Sequence, residues 1–386
     1  MTKQSHSSNC SFSPFRLPGI AKSLLDAVKD EAECQEKIVL RRFDLEARGH
    51  IKEVYASTMA WEKAPCRDDF YRVSIERTDP GALHVKTGSV IRGIGEIEHA
   101  TPEQILAHPE FPRARRVFVS EHARVYEAGM FPARFGADAG RVTTLAIIVC
   151  QHADYDPTDR ASWPTLSRLK DTVARFGFAS PRLIDSFVAR LAQTGYLELR
   201  QQPEDNRVRL LCPTERLLAW DREWMAAHYA ALEVLYPEPG FGPPRQRDVA
   251  FQAAHARSAV AAFDTIIAMM WSNLEIVFFL SSTSALIILL SLFEMGGSDP
   301  ESRIREADLV ELAPRFAVSR SHVRNIMAVA QERNFLVRSG PRNAYIQLTP
   351  HWIAAFDRFI AGSLAQSDLT YRLALRHQVE QARFEA

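Results

Sequence analysis

A chain that repeats its own pattern must build the same unit more than once, and that limits its fold more tightly than composition does. In this sequence Ser180 aligns with Ser319, and Gly195-Tyr196-Leu197 with Asn334-Phe335-Leu336, both at an interval of 139 residues. Farther on, Trp220-Asp221-Arg222 aligns with Phe356-Asp357-Arg358 at an interval of 136. The three-residue difference falls in a loop between two strand-like segments, where a change of length costs least.

The first copy reads as a helix over Val142–Val149, then a polar loop, Asp154–Ser162, then a second helix opened by Trp163-Pro164 and running through Ala174. After the turn Phe176–Ala179, Ser180 stands as an N-cap with Pro181 at the first helical position, where its missing N–H costs nothing. Ile184, Phe187, Val188 and Leu191 then mark one buried face, and Gly195 ends the helix. Two short strands, Tyr196–Arg200 and Val208–Cys212, flank Gln201–Arg207, and Thr214 starts a helix that reaches about Leu235. The second copy repeats this order. Ser284–Glu294 and Glu306–Phe316 match the first two helices, and Ser319 caps a third with Val323, Ile326 and Ala330 inward. Phe335–Arg338 and Ala344–Leu348 are its strands, and Pro350 opens its closing helix.

Helix, helix, turn, helix and a two-stranded ribbon is the order of a winged helix-turn-helix. The expected fold is therefore mainly α with small β wings: two winged helix-turn-helix units plus an N-terminal α+β region. The expected divisions are a tail over 1–20, a region without an assigned role over 21–130, a first unit over 131–236, a linker over 237–250 and a second unit over 251–386. Pro237–Pro244, PEPGFGPP, reads as a stiff linker that no helix can cross. Val249–Met270 reads as one helix. In the N-terminal region, Leu24, Leu25, Val28, Ile38 and Val39 have helical spacing between Ile20 and Arg48. Tyr71, Val73 and Ile75 alternate before an Asp79-Pro80-Gly81 turn and a return strand at Leu83-His84-Val85, and Pro112–Gly129 has helical spacing again.

Leu274–Phe293, LEIVFFLSSTSALIILLSLF, is as long as a membrane span, yet Glu275 and a Ser-Ser-Thr-Ser break interrupt it and no basic cluster flanks it. A buried helix preceded by a turn accounts for it as well, and no membrane partner is expected. Met1–Arg16 lacks the apolar core of a secretory signal. The cysteines, Cys10, Cys34, Cys66, Cys150 and Cys212, are odd in number and form no CxxC pair, so neither a disulfide framework nor a zinc site is indicated. The expectation is a cytoplasmic protein, with Cys150 and Cys212 in the core. The twelve histidines show no HxxxH or HxH spacing, and no Walker loop, GxSxG elbow or GxGxxG motif occurs. No catalytic residue, metal or cofactor is expected.

The formal net charge is zero, so a nucleic-acid surface must be a local patch. The outward side of the first copy's third helix presents Arg182, Asp185, Ser186 and Arg190, and that of the second presents Arg320, Ser321, Arg324 and Asn325. Arginine and asparagine read guanine and adenine bidentately. Residues 175–209 hold six arginines against four acids, and residues 315–343 hold six arginines against Glu332 alone. The expected DNA-binding residues are Arg182, Ser186, Arg190, Arg207, Arg209, Arg320, Ser321, Arg324, Asn325, Arg338 and Arg342. Asp185, which repels phosphate, counts against the first copy, so the second copy is expected to bind more strongly. The competing expectation is a tandem winged-helix scaffold for protein partners without DNA binding.

Ser180–Leu191, followed by Pro203-Glu204-Asp205-Asn206-Arg207, an alternating strand and Pro213-Thr214-Glu215, resembles the MarR family of bacterial regulators. The resemblance covers about Arg141–Leu235 well and Ser281–Ala365 more loosely. It implies that Asp205 braces the wing through an ion pair and that Arg207 reaches the minor groove. In the second copy Ser339–Asn343 lacks the acidic partner, so only Arg342 carries over. The resemblance further implies a transcriptional regulator on double-stranded DNA, the two copies acting as a covalent pseudo-dimer. It leaves room for a small-molecule effector and for a homo-oligomer.

Overall fold

The computed structural model describes residues 74–79, 82–86, 88–91, 95–127, 138–280, 282, 284–296, 299–314 and 318–385. The expectations for the N-terminal tail, for the helices between Ile20 and Arg48, and for Tyr71, Val73, Pro80 and Gly81 lie outside these residues. The described chain is mainly helical, with a few small antiparallel strands. Two hairpins come first: β1 (Ser74–Asp79) with β2 (Ala82–Lys86), and β3 (Gly88–Ile91) with β4 (Gly95–Glu98). Helix α1 (Pro102–Leu106) opens with a capping box in which Thr101 and Gln104 satisfy each other's backbone N–H groups. Helix α2 (Phe111–Glu127) follows.

The first repeat runs α3 (Ala139–Ala153), α4 (Leu166–Phe176), α5 (Pro181–Gln193), β5 (Leu197–Gln202), β6 (Asp205–Pro213) and α6 (Glu215–Leu235). A short α7 (Gly242–Arg245), α8 (Val249–Ala261), α9 (Phe263–Trp271) and α10 (Leu274–Leu280) come next. The second repeat then runs α11 (Ala285–Gly296), β7 (Ile304–Arg305), α12 (Glu306–Glu311), α13 (Arg320–Glu332), β8 (Leu336–Ser339), β9 (Tyr345–Leu348) and α14 (Pro350–Glu385). The repeats share individual hydrogen bonds as well as element order. The hydroxyl of Ser180 accepts from Leu183 N–H, and that of Ser319 from His322 N–H. Tyr196 N–H donates to Leu191 O at 2.9 Å, and Phe335 N–H to Ala330 O at 2.8 Å. Thr214 N–H bonds Tyr196 O, as Thr349 N–H bonds Phe335 O. Those two threonines lie 135 apart, one residue from the interval read through Trp220 and Phe356.

Three boundaries differ from the sequence reading for local reasons. Helix α4 starts at Leu166 rather than Trp163, because Thr165 caps it and bridges to Leu210. Helix α12 ends at Glu311, with residues 315–317 outside the described set. Val249–Met270 is two helices, since Ala262, fully buried, donates to Ala259 O and sets a corner. The long apolar run is also broken, into α10 and α11, and among the described residues no helix is long and apolar enough to cross a membrane. Residues 285–293 are all buried, so α11 is covered on every side by protein, which explains an apolar surface all round.

The closing helices exchange cores. Tyr229, Leu232 and Leu235 of α6 belong to the cluster built around α11, α13 and Trp352, whereas Leu369 and Leu373 of α14 belong to the cluster of α3, α4 and α5. Each repeat thus completes its core with a helix that the other repeat also uses. The proline-rich stretch joins this packing. Phe241 is buried with its ring 5.4 Å from Tyr229 and 4.9 Å from Tyr371. The N-terminal segment is tied in by Arg115, whose Nη1 meets both oxygens of Asp357 at 2.7 Å, and by Ala100 N–H, which donates to the buried Asp368 at 2.7 Å.

Three helices meet at histidines. His122 of α2 donates Nδ1–H to Phe118 O at 2.7 Å, and His228 of α6 donates Nδ1–H to Trp224 O at 3.0 Å, with His122 Nε2 as a second, shared acceptor 3.1 Å from the same nitrogen. His255 of α8 stands beside His228, with its Nε2 buried and without a hydrogen-bond partner among the described residues. Burial pushes His228 and His255 down to about 4, and burial with the neighbouring His228 lowers His122 as well. All three rings are neutral at pH 7.

Candidate nucleic-acid interface

The outward face of α5 is set by a pinned turn. Helix α4 ends at Gly177, whose φ of +74° favours glycine, and a Cβ there would stand 3.0 Å from Trp271 of α9. Trp271 stacks on Phe178 at 5.4 Å and donates Nε1–H to Phe176 O at 3.1 Å. Helix α5 follows, and its inward residues Ile184, Phe187, Val188 and Leu191 are all buried. By helical geometry that leaves Arg182, Asp185, Ser186 and Arg190 outside, and all four are exposed.

The hairpin β5–β6 extends this face. Asp205 Oδ1 accepts from Arg207 N–H at 3.1 Å, and its second oxygen lies 3.6 Å from Arg160, whose guanidinium sits over the buried Trp163. Asp205 is thus held by its own hairpin backbone and by Arg160 from outside the hairpin. Arg207 and Arg209 are exposed. Among the described residues no ion pair or side-chain hydrogen bond engages Arg182, Arg190, Arg207 or Arg209. Ser186 turns its hydroxyl back to Leu183 O at 2.9 Å. Asp185 is not left bare, since Lys170 of α4 places its ammonium 2.6 Å away.

The second repeat places its arginines differently. Arg320 pairs with Glu311 at 2.8 Å, and Ser321 shares a hydroxyl contact with Ser319 at 3.0 Å. Arg338 faces inward: its Nε and Nη2 reach Glu306 at 3.1 and 2.9 Å, and its Nη1 reaches Gln331 at 2.9 Å. Arg324, Asn325 and Arg342 are exposed, and among the described residues no ion pair engages them. At the place of Arg190, 139 residues on, stands Val329, 40% exposed, and Val337 on β8 is 48% exposed. Arg315 lies outside the described residues. The sequence reading missed Arg160, Lys170, Glu306 and Glu311, because none of them lies in the helix-and-hairpin segments that it counted.

An open cleft of about 580 Å³ lies between the loop after α3 and α8, lined by Asp154, Tyr155, Asp156, Arg168 and Arg257 among others. Cys150 and Cys212 are buried, and burial raises both thiols above their ordinary range. Among the described residues no group of three histidine, cysteine or acidic side chains could hold a metal ion. Compared with known proteins, the chain matches no family model, no curated protein and no solved structure.

Proposed function

We propose that this chain is a sequence-specific DNA-binding transcriptional regulator of the cytoplasm, MarR-like, that uses two winged helix-turn-helix units as an intrachain pseudo-dimer. One observation carries the reading: a capped, outward helix with Arg182 and Arg190 stands in one repeat with a hairpin that exposes Arg207 and Arg209, all four without an ion pair among the described residues. Unpaired guanidiniums on a helix and an adjoining ribbon suit both phosphates and base edges. The exchange of α6 and α14 between cores supports the pseudo-dimer, because it ties the two repeats together as terminal helices tie separate subunits. A small-molecule effector and a homo-oligomer remain compatible partners.

The test is retention on pooled random duplexes as salt rises. Four phosphate contacts give a slope of log K against log salt of about −3.6, a loss of about 150-fold between 50 and 200 mM. Absence of retention at 50 mM salt refutes the proposal. Selected sites with two half-sites about 34–36 Å apart support the pseudo-dimer, and randomly spaced ones remove it. A second reading, a protein-interaction scaffold, is favoured by the exposed Val329 and Val337 in the repeat whose Arg320 and Arg338 are paired with acids. It predicts binding of a protein partner through the second repeat, with no duplex retention.

A further inference from the structure

Charge summed along the sequence favours the second repeat, but charge paired in space favours the first. On the first face, Asp185 is compensated by Lys170, Asp205 by Arg160 and Glu198 by Arg200. Four exposed arginines remain there against Glu204 at the hairpin turn. On the second face Glu311 occupies Arg320 and Glu306 occupies Arg338, while Arg333 lies beside Glu332. Arg324 and Arg342 remain. The caps Thr165 and Arg305 and the buried Leu169 and Leu309 align the second helices 140 residues apart, which puts the buried Val310 at the place of Lys170, so the second repeat has no counterpart of this lysine.

Asp185 is one turn from Arg182 and adjacent to Ser186, so an uncompensated carboxylate there would face the same phosphates as the arginines. Resting on the DNA-binding reading, we infer that Lys170 is a positioning residue for that face, holding and neutralising Asp185, and that the first repeat carries the larger share of duplex affinity. Lys170 acts through Asp185. Its contribution is electrostatic across two helices rather than a direct base contact, and it weakens as salt screens the pair.

The experiment measures duplex affinity of the full chain against salt for a small set of variants. Lys170→Met is expected to lower affinity about fivefold at 50 mM salt and less at 200 mM, the scale of one partly screened like charge. Lys170→Arg should retain wild-type affinity, and Lys170→Met with Asp185→Asn should restore it. A merely structural bridge between α4 and α5 would not be restored by the double change. Arg182→Ala should make the salt slope about 0.9 shallower, Arg320→Ala should leave it unchanged, and Glu311→Gln should steepen it by releasing Arg320. Duplex binding that Lys170→Met leaves intact, or that the double variant fails to restore, overturns the inference while leaving the DNA reading in place. Equal slope changes for Arg182→Ala and Arg320→Ala overturn the ranking of the repeats. No binding by the wild-type chain at 50 mM salt removes the DNA reading and the inference together.

Discussion

Lowering the pH from 7 to 5 will destabilise this fold through the histidines shared by α2, α6 and α8. His228 and His255 sit at about 4 in the folded chain against an ordinary value of 6.5, because burial penalises the imidazolium. The unfolded chain therefore binds more protons than the folded one between those values, and stability rises with pH across that window. Each histidine is expected to remove about 2 kcal/mol between pH 7 and pH 5, and about 3 kcal/mol once the pH is well below 4. His122, also lowered, adds in the same direction. Asp221 opposes them: burial pushes it up to about 6 from 3.8, so the folded state takes up its proton first and gains stability as the pH falls. That gain is about 1 kcal/mol over the same range, so the net fall expected from His228, His255 and Asp221 is on the order of 2 kcal/mol. Urea denaturation at pH 7, 6 and 5 measures the slope. The diagnostic variant is His255→Leu, which removes a titrating ring whose Nε2 has no partner among the described residues. Whatever its stability at pH 7, it should lose about 2 kcal/mol of the fall between pH 7 and 5. A variant with the wild-type pH slope would refute the assignment of that slope to His255.

The Arg115–Asp357 pair, with side chains only 11% and 20% exposed, joins α2 to α14. Arg115→Ala should cost about 3 kcal/mol, since it leaves a partly buried carboxylate without its partner. Thermal unfolding checks this, and a cost below about 1 kcal/mol would show a solvated pair. Cys150 and Cys212 should resist iodoacetamide in the native chain and react in urea, because burial raises both thiols. Peptide mapping by mass reads each site separately, and native labelling at either would contradict its burial.

Local chemistry made much of this fold legible. Serine before Pro181 and serine before Arg320 both predict caps, and both hydroxyls accept the third backbone N–H that follows them. The buried spacing of Ile184, Phe187, Val188 and Leu191 identifies the outward side of α5, because an amphipathic helix has only one way to face a core. The apolar run 274–293 was ambiguous because periodicity vanishes when a helix is covered all round. Phe241 stands in a stretch that reads as a linker, since neighbouring prolines exclude a long helix but say nothing of where an aromatic ring will dock.

The candidate interface shows the same division. Sequence alone determined which residues stand on the outward side of α5 and α13 and which strands form the ribbons, because caps, periodicity and turns act over a few residues. Whether an exposed arginine there is free depended on helices that the local pattern does not include. Asp185 counted against the first repeat until α4 brought Lys170 to it, and Arg338 counted for the second until α12 brought Glu306. Only the tertiary structure decided these, because charges pair through space over a few ångströms, whatever their separation along the chain. The exchange of α6 and α14 between cores belongs with them: each helix is plain in the sequence, and its partner is chosen by packing.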